Sequence, residues 1–574
     1  MRASVVPVWA GAVAGLVSGA VALGIAQLVA AVVRPESFPV VAVGDAVVDL
    51  TPVWLKEWAI STFGENDKNV LMAGVFAVLV VIAAGLGVLA RRSLGLAQAG
   101  FALIAVVGVA AALTRPQAGS LDVLPTVVGV GAGIWTLGWL LRRAVADTSG
   151  AVPSGGSMPE GGAGPAPEGG GGPAPEGGAG PAQEGGGPGA PAAGSEGGGG
   201  PGGAEIGPER QVRPVGAQRF DRRRLLVGAA GGVLVAGATA VAGRLWAGAQ
   251  SLEAVRAGLR FPIPAVPARP LPAGVDLRMP GLTPFVTPNS DFYRVDTALI
   301  LPRVDPRSWT LRVHGMVDRP VELTFDDLLR RPLVEADVTL ACVSNEVGGD
   351  LTGNARWLGA RLADVLREAG VRSGADMLLS TSADGWTCGT PVDVVMDGRD
   401  ALLAVAMNGE ALPQAHGFPV RQVVPGLYGY VSATKWVVDI KVTRFDIDEA
   451  YWTSRGWSAK GPIKTESRID VPGAGATVRA GRTAIAGVAW AQHKGIAAVE
   501  VRIDGGEWQR ARLAEVTGPD TWRQWTLDWD AVAGRHTVQV RATDATGYTQ
   551  TAVVAPPAPD GASGWHTISV TVEP

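Results

Sequence analysis

Apolar residues fill four long runs in the first quarter of the chain, at 7–33, 70–90, 97–113 and 123–141. Each is long enough to approach or cross a hydrocarbon core of about 30 Å at about 1.5 Å per helical residue. Arginines recur at the same ends: Arg2, Arg91-Arg92 and Arg142-Arg143. By the positive-inside rule these ends face the cytoplasm, which puts the loops 34–69 and 114–122 outside. Lys56, Lys68 and Arg115 dilute that asymmetry. The segment Trp54-Leu-Lys-Glu-Trp-Ala-Ile reads as an amphipathic interfacial helix or a plain loop. No histidine lies in a span, so a heme-carrying bundle lacks its ligands, and no charge sits mid-span to mark an ion path. The four helices read as an anchor or docking platform.

From 144 to 218 the pattern collapses into Pro-Glu-Gly-Gly-Ala-Gly repeats, a tether without the apolar side chains that could offset the entropy of ordering. A fifth apolar run, 225–249, follows Arg222-Arg223-Arg224 and delivers everything downstream to the outer face. The pattern Arg222-Arg223-x-Leu225-Leu226 also resembles a twin-arginine export signal.

The remaining half changes period. Residues 251–280 are proline-punctuated and read as extended. Trp309-Thr-Leu-Arg-Val-His-Gly alternates as a strand, with His314 structural. Thr324 caps a helix start, and 360–369 reads as an amphipathic helix closed by Gly370. Val338-Thr-Leu-Ala-Cys-Val-Ser-Asn-Glu-Val-Gly-Gly puts Cys342 where a strand gives way to a glycine-rich loop. The residues alone leave two readings: a disulfide with Cys388, the only other cysteine, or a thiolate that ligates a metal or acts as a nucleophile. After 460, runs such as Val499-Glu-Val-Arg-Ile and His536-Thr-Val-Gln-Val-Arg alternate between turn signals, the signature of a β-sandwich. Trp490, Trp508, Trp522 and Trp525 read as its core or interface aromatics.

Composition narrows the classes. A net charge of −4 without a dense basic stripe gives no case for nucleic acid, and two cysteines exclude a disulfide framework or a four-cysteine zinc site.

Taken in order, Asn289-x-x-Phe-Tyr293, the Cys342 loop, Asp384-Gly-Trp386, Met407-Asn-Gly, His416-Gly-Phe-Pro-Val-Arg421 and Ser432-Ala-Thr-Lys-Trp436 resemble the sulfite oxidase family of molybdopterin-dependent oxidoreductases. The resemblance covers about 280–450. It implies a molybdenum–molybdopterin cofactor with Cys342 as the protein thiolate on the metal. It also implies that Asn289, Tyr293, Arg294, Asp296, Asp384, His416, Arg421, Ser432, Thr434 and Lys435 surround the pterin and its phosphate. The C-terminal sandwich is similar to the immunoglobulin-like dimerisation domain that follows in this family. Two departures bear on substrate. Val343-Ser-Asn-Glu346 stands where sulfite oxidases carry a Gly-Asn-Arg-Arg pattern after the cysteine, and the active-site tyrosine falls on Trp386, whose indole only donates.

The expectation is therefore a multi-domain chain: N-terminal transmembrane α-helices, an α+β molybdopterin domain, then an all-β immunoglobulin-like sandwich. Its expected segments are a four-helix membrane domain (1–143), a tether (144–218), a fifth helix with the arginine signal (219–250), the molybdopterin domain (251–452) and the immunoglobulin-like domain (453–574). The expected activity is two-electron oxygen-atom transfer on a small molecule outside the cytoplasm. Cys342 and Trp386 stand at the catalytic centre, electrons pass to a separate cytochrome or quinone-linked carrier, and homodimerisation runs through the last domain. Competing readings are a sulfoxide reductase of the same fold, a cofactor-free binding module on a membrane stalk, and a transporter with an appended domain.

Overall fold

The computed structural model describes residues 6–52, 67–115, 118–146, 219–249 and 252–574, with 55, 58, 62 and 63. Most of the expected interfacial helix at 54–60 and the tether at 147–218 lie outside the described residues. The apolar runs form α1 (Val8–Val33), α3 (Asp67–Ala90), α4 (Leu94–Leu113), α5 (Leu124–Arg143) and α6 (Arg222–Ala249). Five of the described helices are long and apolar enough to cross a membrane. Between the first two lies an unexpected helix, α2 (Pro39–Leu50), started by Pro39 at its first position.

These helices form one bundle around α1, which packs on α3, α5 and α6. The contacts need small residues. A Cβ on Gly15 would meet the Ala83 carbonyl oxygen at 2.0 Å, and one on Gly87 the Gly11 carbonyl oxygen at 2.2 Å. Where lipid replaces water, such close backbone approach supplies the attraction that hydrophobic burial cannot. Val6 and Arg91 meet at one end, where the Arg91 Nε donates to the Val6 carbonyl at 2.7 Å. α2 lies at the other.

After α6 the chain forms a short helix, α7 (Leu252–Gly258), where the proline pattern suggested extended chain, and only then runs extended. The central domain is built on two sheets, one antiparallel and one mixed. In chain order its strands are β1 (Thr310–Gly315), β2 (Val321–Thr324), β3 (Leu333–Ala341), β4 (Thr352–Arg361), β5 (Met377–Ser382), β6 (Thr387–Pro391), β7 (Leu402–Met407), β8 (Glu410–Ala411), β9 (Arg421–Val423) and β10 (Val437–Thr443). One sheet runs β8-β7-β4-β3, with β9 also on β7; the other runs β2-β1-β10-β5-β6, with only β10 and β1 parallel. All six residues of β7 are buried, so its sequence, Leu-Leu-Ala-Val-Ala-Met, does not alternate. Thr324 caps α8 (Phe325–Leu329) in a reciprocal box with Asp327. Ala360 and Arg361 stay in β4, so α9 starts later than expected and spans Leu362–Ala369, closed by left-handed Gly370. His314 is structural as read, its Nε2 3.0 Å from Asp439 Oδ1.

Residues Glu466–Glu573 build a four-stranded and a five-stranded antiparallel-rich pair of sheets. Trp490, Trp522 and Trp525 are buried; Trp508 is half-buried, edge-on to Trp565 between the guanidinium groups of Arg502 and Arg541. The sandwich is fused to the central domain by polar pins as well as apolar contact. The Trp522 indole donates to the Phe285 carbonyl and its backbone N–H to Thr339 Oγ1, both at 2.8 Å. Gln524 Nε2 donates to the Thr283 carbonyl at 2.7 Å. Replacing Trp522 by alanine removes a fully buried ring and orphans the Phe285 carbonyl. It should lower stability by about 3–5 kcal/mol, read as an earlier calorimetric unfolding transition of the catalytic half.

Candidate functional site

Cys342 follows the last residue of β3, and its loop is tied shut behind it. The Cys342 N–H donates to the Leu351 carbonyl at 2.9 Å, Asn345 N–H to the Cys342 carbonyl at 3.1 Å, and Leu351 N–H to Asn345 Oδ1 at 2.8 Å. Gly348 has φ +82° and lies so near His566 that a Cβ would sit 2.2 Å from the imidazole, so both conformation and space demand glycine. The adjacent Gly349 carbonyl accepts from Arg468 of the sandwich at 2.8 Å. The C-terminal domain thus buttresses the cysteine loop directly.

Cys342 and Cys388 are both free thiols, which removes the disulfide reading. Cys388 is fully buried with Sγ 3.6 Å from Thr390 Oγ1, and burial pushes its thiol up to about 11. Cys342 instead lines a cavity of about 470 Å³ with Tyr293, Asp296, Asp384, Trp386, Arg421 and Lys435. Burial pushes the Cys342 thiol up, opposed by hydrogen bonding with Ser344 and by Lys435. A metal competing for the sulfur would have to displace that proton.

The two central motifs put cations beneath the cavity. Arg421, the first residue of β9, is buried under the face of Trp357, 5.0 Å from its centroid. It donates to the His416 and Ala433 carbonyls at 3.2 and 3.4 Å. Among the described residues no carboxylate offsets its charge, and burial lowers its pKa to about 10. His416 closes a single 3-10 turn, its Nε2 3.3 Å from the Asn289 carbonyl. That partner accepts, so Nε2 carries the proton and Nδ1 presents a lone pair. Burial, then the Lys435 and Arg421 charges, push the His416 imidazole down to about 3, so it is neutral near pH 7. Lys435 Nζ donates to Asp296 Oδ2 at 3.0 Å, and burial lowers its pKa to about 8 against the pull of that carboxylate.

Asp296 gathers more than Lys435. Arg294 donates to it at 2.8 and 3.1 Å, and Lys68, in the first turn of α3, donates to Oδ1 at 2.6 Å and to the Ala298 carbonyl at 2.9 Å. Burial alone would raise Asp296, but Lys435, Arg294 and Lys68 outweigh it and hold the carboxyl well below its usual range. Tyr293 stacks on Phe292 at 5.3 Å, and burial beside Cys342 raises its hydroxyl far above the usual range. Asp384 and Trp386 share the turn between β5 and β6; the Trp386 N–H donates to Asp384 Oδ1 at 3.1 Å. Burial raises the Asp384 carboxyl.

Other expected site residues have different engagements. Asn289 donates to the Met407 carbonyl at 3.3 Å and accepts from Asn408 at 2.9 Å, so the Met407-Asn-Gly motif acts as a brace for it. The Ser432 hydroxyl donates to the Leu427 and Tyr428 carbonyls, both at 3.0 Å, a backbone staple. The Thr434 hydroxyl is buried without a hydrogen-bond partner among the described residues. Several lining residues carried no local signal: Trp452, Trp457, and Val47, Val70 and Leu71 of the helix bundle. Lys68 was visible only as a positive charge on the wrong side of the membrane pattern.

The residues fit an anionic, heteroaromatic, metal-bearing group. Buried, unpartnered polar atoms among the described residues include Asn345 Nδ2, His416 Nδ1 and Arg421 Nε. A buried guanidinium without an acid and an imidazole with an open lone pair are costly unless a ligand engages them.

Comparison with known proteins supplies that ligand's class. Residues 298–452 match the oxidoreductase molybdopterin binding domain, and 466–540 match a bacterial Ig domain. The chain is 32% identical over 344 residues to mitochondrial sulfite oxidase of Mus musculus, half of this chain and 62% of that protein. It is 36% identical over 157 residues to the uncharacterized oxidoreductase YuiH of Bacillus subtilis, covering 27% of this chain and 76% of that one. Among solved structures, the sulfane dehydrogenase SoxCD of Paracoccus pantotrophus aligns at 27% identity over 51% of this chain and 85% of that chain, with a TM-score of 0.43. The chain thus spans less than two thirds of the mammalian sulfite oxidases it matches. It belongs to the sulfite oxidase family of molybdopterin-dependent oxidoreductases, an enzyme whose cofactor is molybdenum–molybdopterin.

Proposed function

We propose that this enzyme is held in the cytoplasmic membrane by its helix bundle and works on the outer side, by two-electron oxygen-atom transfer on a small molecule. The observation that carries the site is the buried, acid-free Arg421 beneath a cavity lined by the Cys342 thiol. Bound molybdenum–molybdopterin supplies the two-electron, oxygen-transferring chemistry. Cys342 is its protein sulfur ligand, held by the Leu351 and Asn345 bonds and backed by Arg468. Arg421 and Lys435 would hold the anionic end of the cofactor, and neutral His416 would offer it the lone pair at Nδ1. Tyr293, with a hydroxyl that stays protonated, and the Trp386 indole donate into the substrate space. Electrons pass on to a separate carrier, and the sandwich domain is the proposed dimer contact.

The outer location is supported by the way the ends of the bundle differ. Arg91, Arg92, Arg142, Arg143 and Arg222 crowd one end, whereas Asp49 and Lys68, which bond the catalytic half, stand at the other. The outer cations are neutralised locally, Lys68 by Asp296 and Arg115 by Asp45 at 2.8 Å.

Cys342→Ser should abolish turnover while leaving pterin bound, with an altered molybdenum electron paramagnetic resonance signal. Arg421→Met should lower retained pterin about 10–100-fold, the loss of roughly 1.5–3 kcal/mol of charge-assisted bonding; full pterin occupancy in that variant rules out the cradle.

The His416 ring gives a pH test. It takes up a proton only near pH 3 when folded but near 6.5 when unfolded, so acid favours the unfolded chain. Cofactor-free protein should therefore lose up to about 1.4 kcal/mol per pH unit between about 6.5 and 3 from this residue. Thermal melts of His416→Gln should show a shallower acid limb than the parent.

A further inference from the structure

The cavity at Cys342 has a roof that the catalytic domain does not make. Its ceiling is the last turns of α2 (Val47, Val48), the first turn of α3 (Val70, Leu71), and Trp58 with Phe63, which pair edge to face at 5.7 Å. Its floor and walls carry four more indoles, Trp386, Trp436, Trp452 and Trp457. The roof is fastened at two points. Lys68 bonds Asp296, and Asp49 accepts from the Tyr451 hydroxyl at 2.9 Å, with Arg455 at 3.6 Å. The space therefore belongs to both halves of the chain.

A second cavity, of about 610 Å³, adjoins it across Asp384, Trp386 and Tyr451 and is lined by charged groups, including Arg34, Asp45, Arg115 and Arg303. The chamber over Cys342 has the opposite character. Of its cations, Lys68 and Lys435 share Asp296, and Arg421 lies buried in the cofactor cradle. A small oxyanion arriving from water would trade its hydration for indole and aliphatic surface, at a cost that no uncommitted charge among the described lining residues repays. An uncharged, flat molecule would bury apolar area and stack on the indoles. The volume suits such a ligand.

The outer surface of the roof points to where it comes from. Leu50 is 85% exposed, Trp58 53% and Val70 43%, so apolar side chains continue past the rim onto the membrane-length helix α3. Tryptophan at the end of such a helix belongs at the level of the lipid headgroups.

We infer that the chamber over Cys342 binds an uncharged, lipid-soluble molecule with a flat head, entering from the bilayer side, as the substrate class of this enzyme. This rests on the active-site placement proposed above. The probe is decyl-benzoquinone, titrated into the full chain in lipid nanodiscs and read by quenching of tryptophan fluorescence, with molybdenum and pterin content measured on the same samples. Saturable quenching, unmoved by excess sulfite and weakened about tenfold by both Val47→Asp and Leu71→Trp at unchanged melting temperature, is the expected result. Quenching that only tracks probe per lipid, or that sulfite displaces, overturns the inference on the parent protein alone, whether or not the variants fold. Equal affinity in folded variants overturns it too. If cofactor-loaded protein shows no saturable quenching, only the ligand class falls. Saturable, variant-sensitive quenching in a folded chain that takes up no cofactor removes the catalytic placement and leaves the chamber's ligand standing.

Discussion

One carboxylate ties the molecule together. Asp296 is buried and meets Arg294 beside it, Lys435 from the turn before β10, and Lys68 from the start of α3. A lone buried carboxylate is costly, and so is each buried ammonium; gathered at one point they offset one another. Helix bundle and molybdopterin-binding domain therefore share a charge balance. Lys435 sits where it does because Asp296 receives it, and Asp296 stays ionised because Lys435 and Arg294, with Lys68 from the bundle, outweigh its burial.

That arrangement leaves Arg421 as the exception. Its neighbours are Trp357 and two carbonyl oxygens, which satisfy hydrogens but do not cancel charge. On the proposed reading, the cofactor brings the missing anion. The sandwich adds rigidity from behind: Arg468 reaches across to the Gly349 carbonyl and to Thr283 Oγ1 at 2.8 Å each. A domain without a visible part in the chemistry thus fixes the loop that carries the thiol.

What the sequence disclosed follows from the range of each interaction. Helices long enough to span a bilayer are written in consecutive residues, and so are the strand-to-loop change at Cys342, the Thr324 cap and the Gly370 stop. The family motifs pointed to the cavity floor because His416 and Arg421 are five residues apart on one turn and strand. Contacts between distant segments left no such trace. Ser432 and Asn289 have the right polarity and place, yet their side chains bond backbone that only the fold brings near. Helix α2 hid inside a loop because its partners, Leu299, Arg115 and Tyr451, lie elsewhere in the chain. Of the three cations that blurred the charge rule, Lys68 and Arg115 prove to be halves of ion pairs, and Lys56 lies outside the described residues.

The roofed chamber also limits how the gene could be cut or recombined. Read as text, the chain invites division at its glycine-rich tether into an anchor and a portable enzyme. In three dimensions the boundary runs through the reaction space, and a version starting after the tether would keep thiol and cradle but open a ring of tryptophans to water. Exchanging the anchor for another of equal length would have the same effect. The two halves are therefore expected to change together during evolution, with substitutions in α2 and the start of α3 answering those around Trp386 and Trp452.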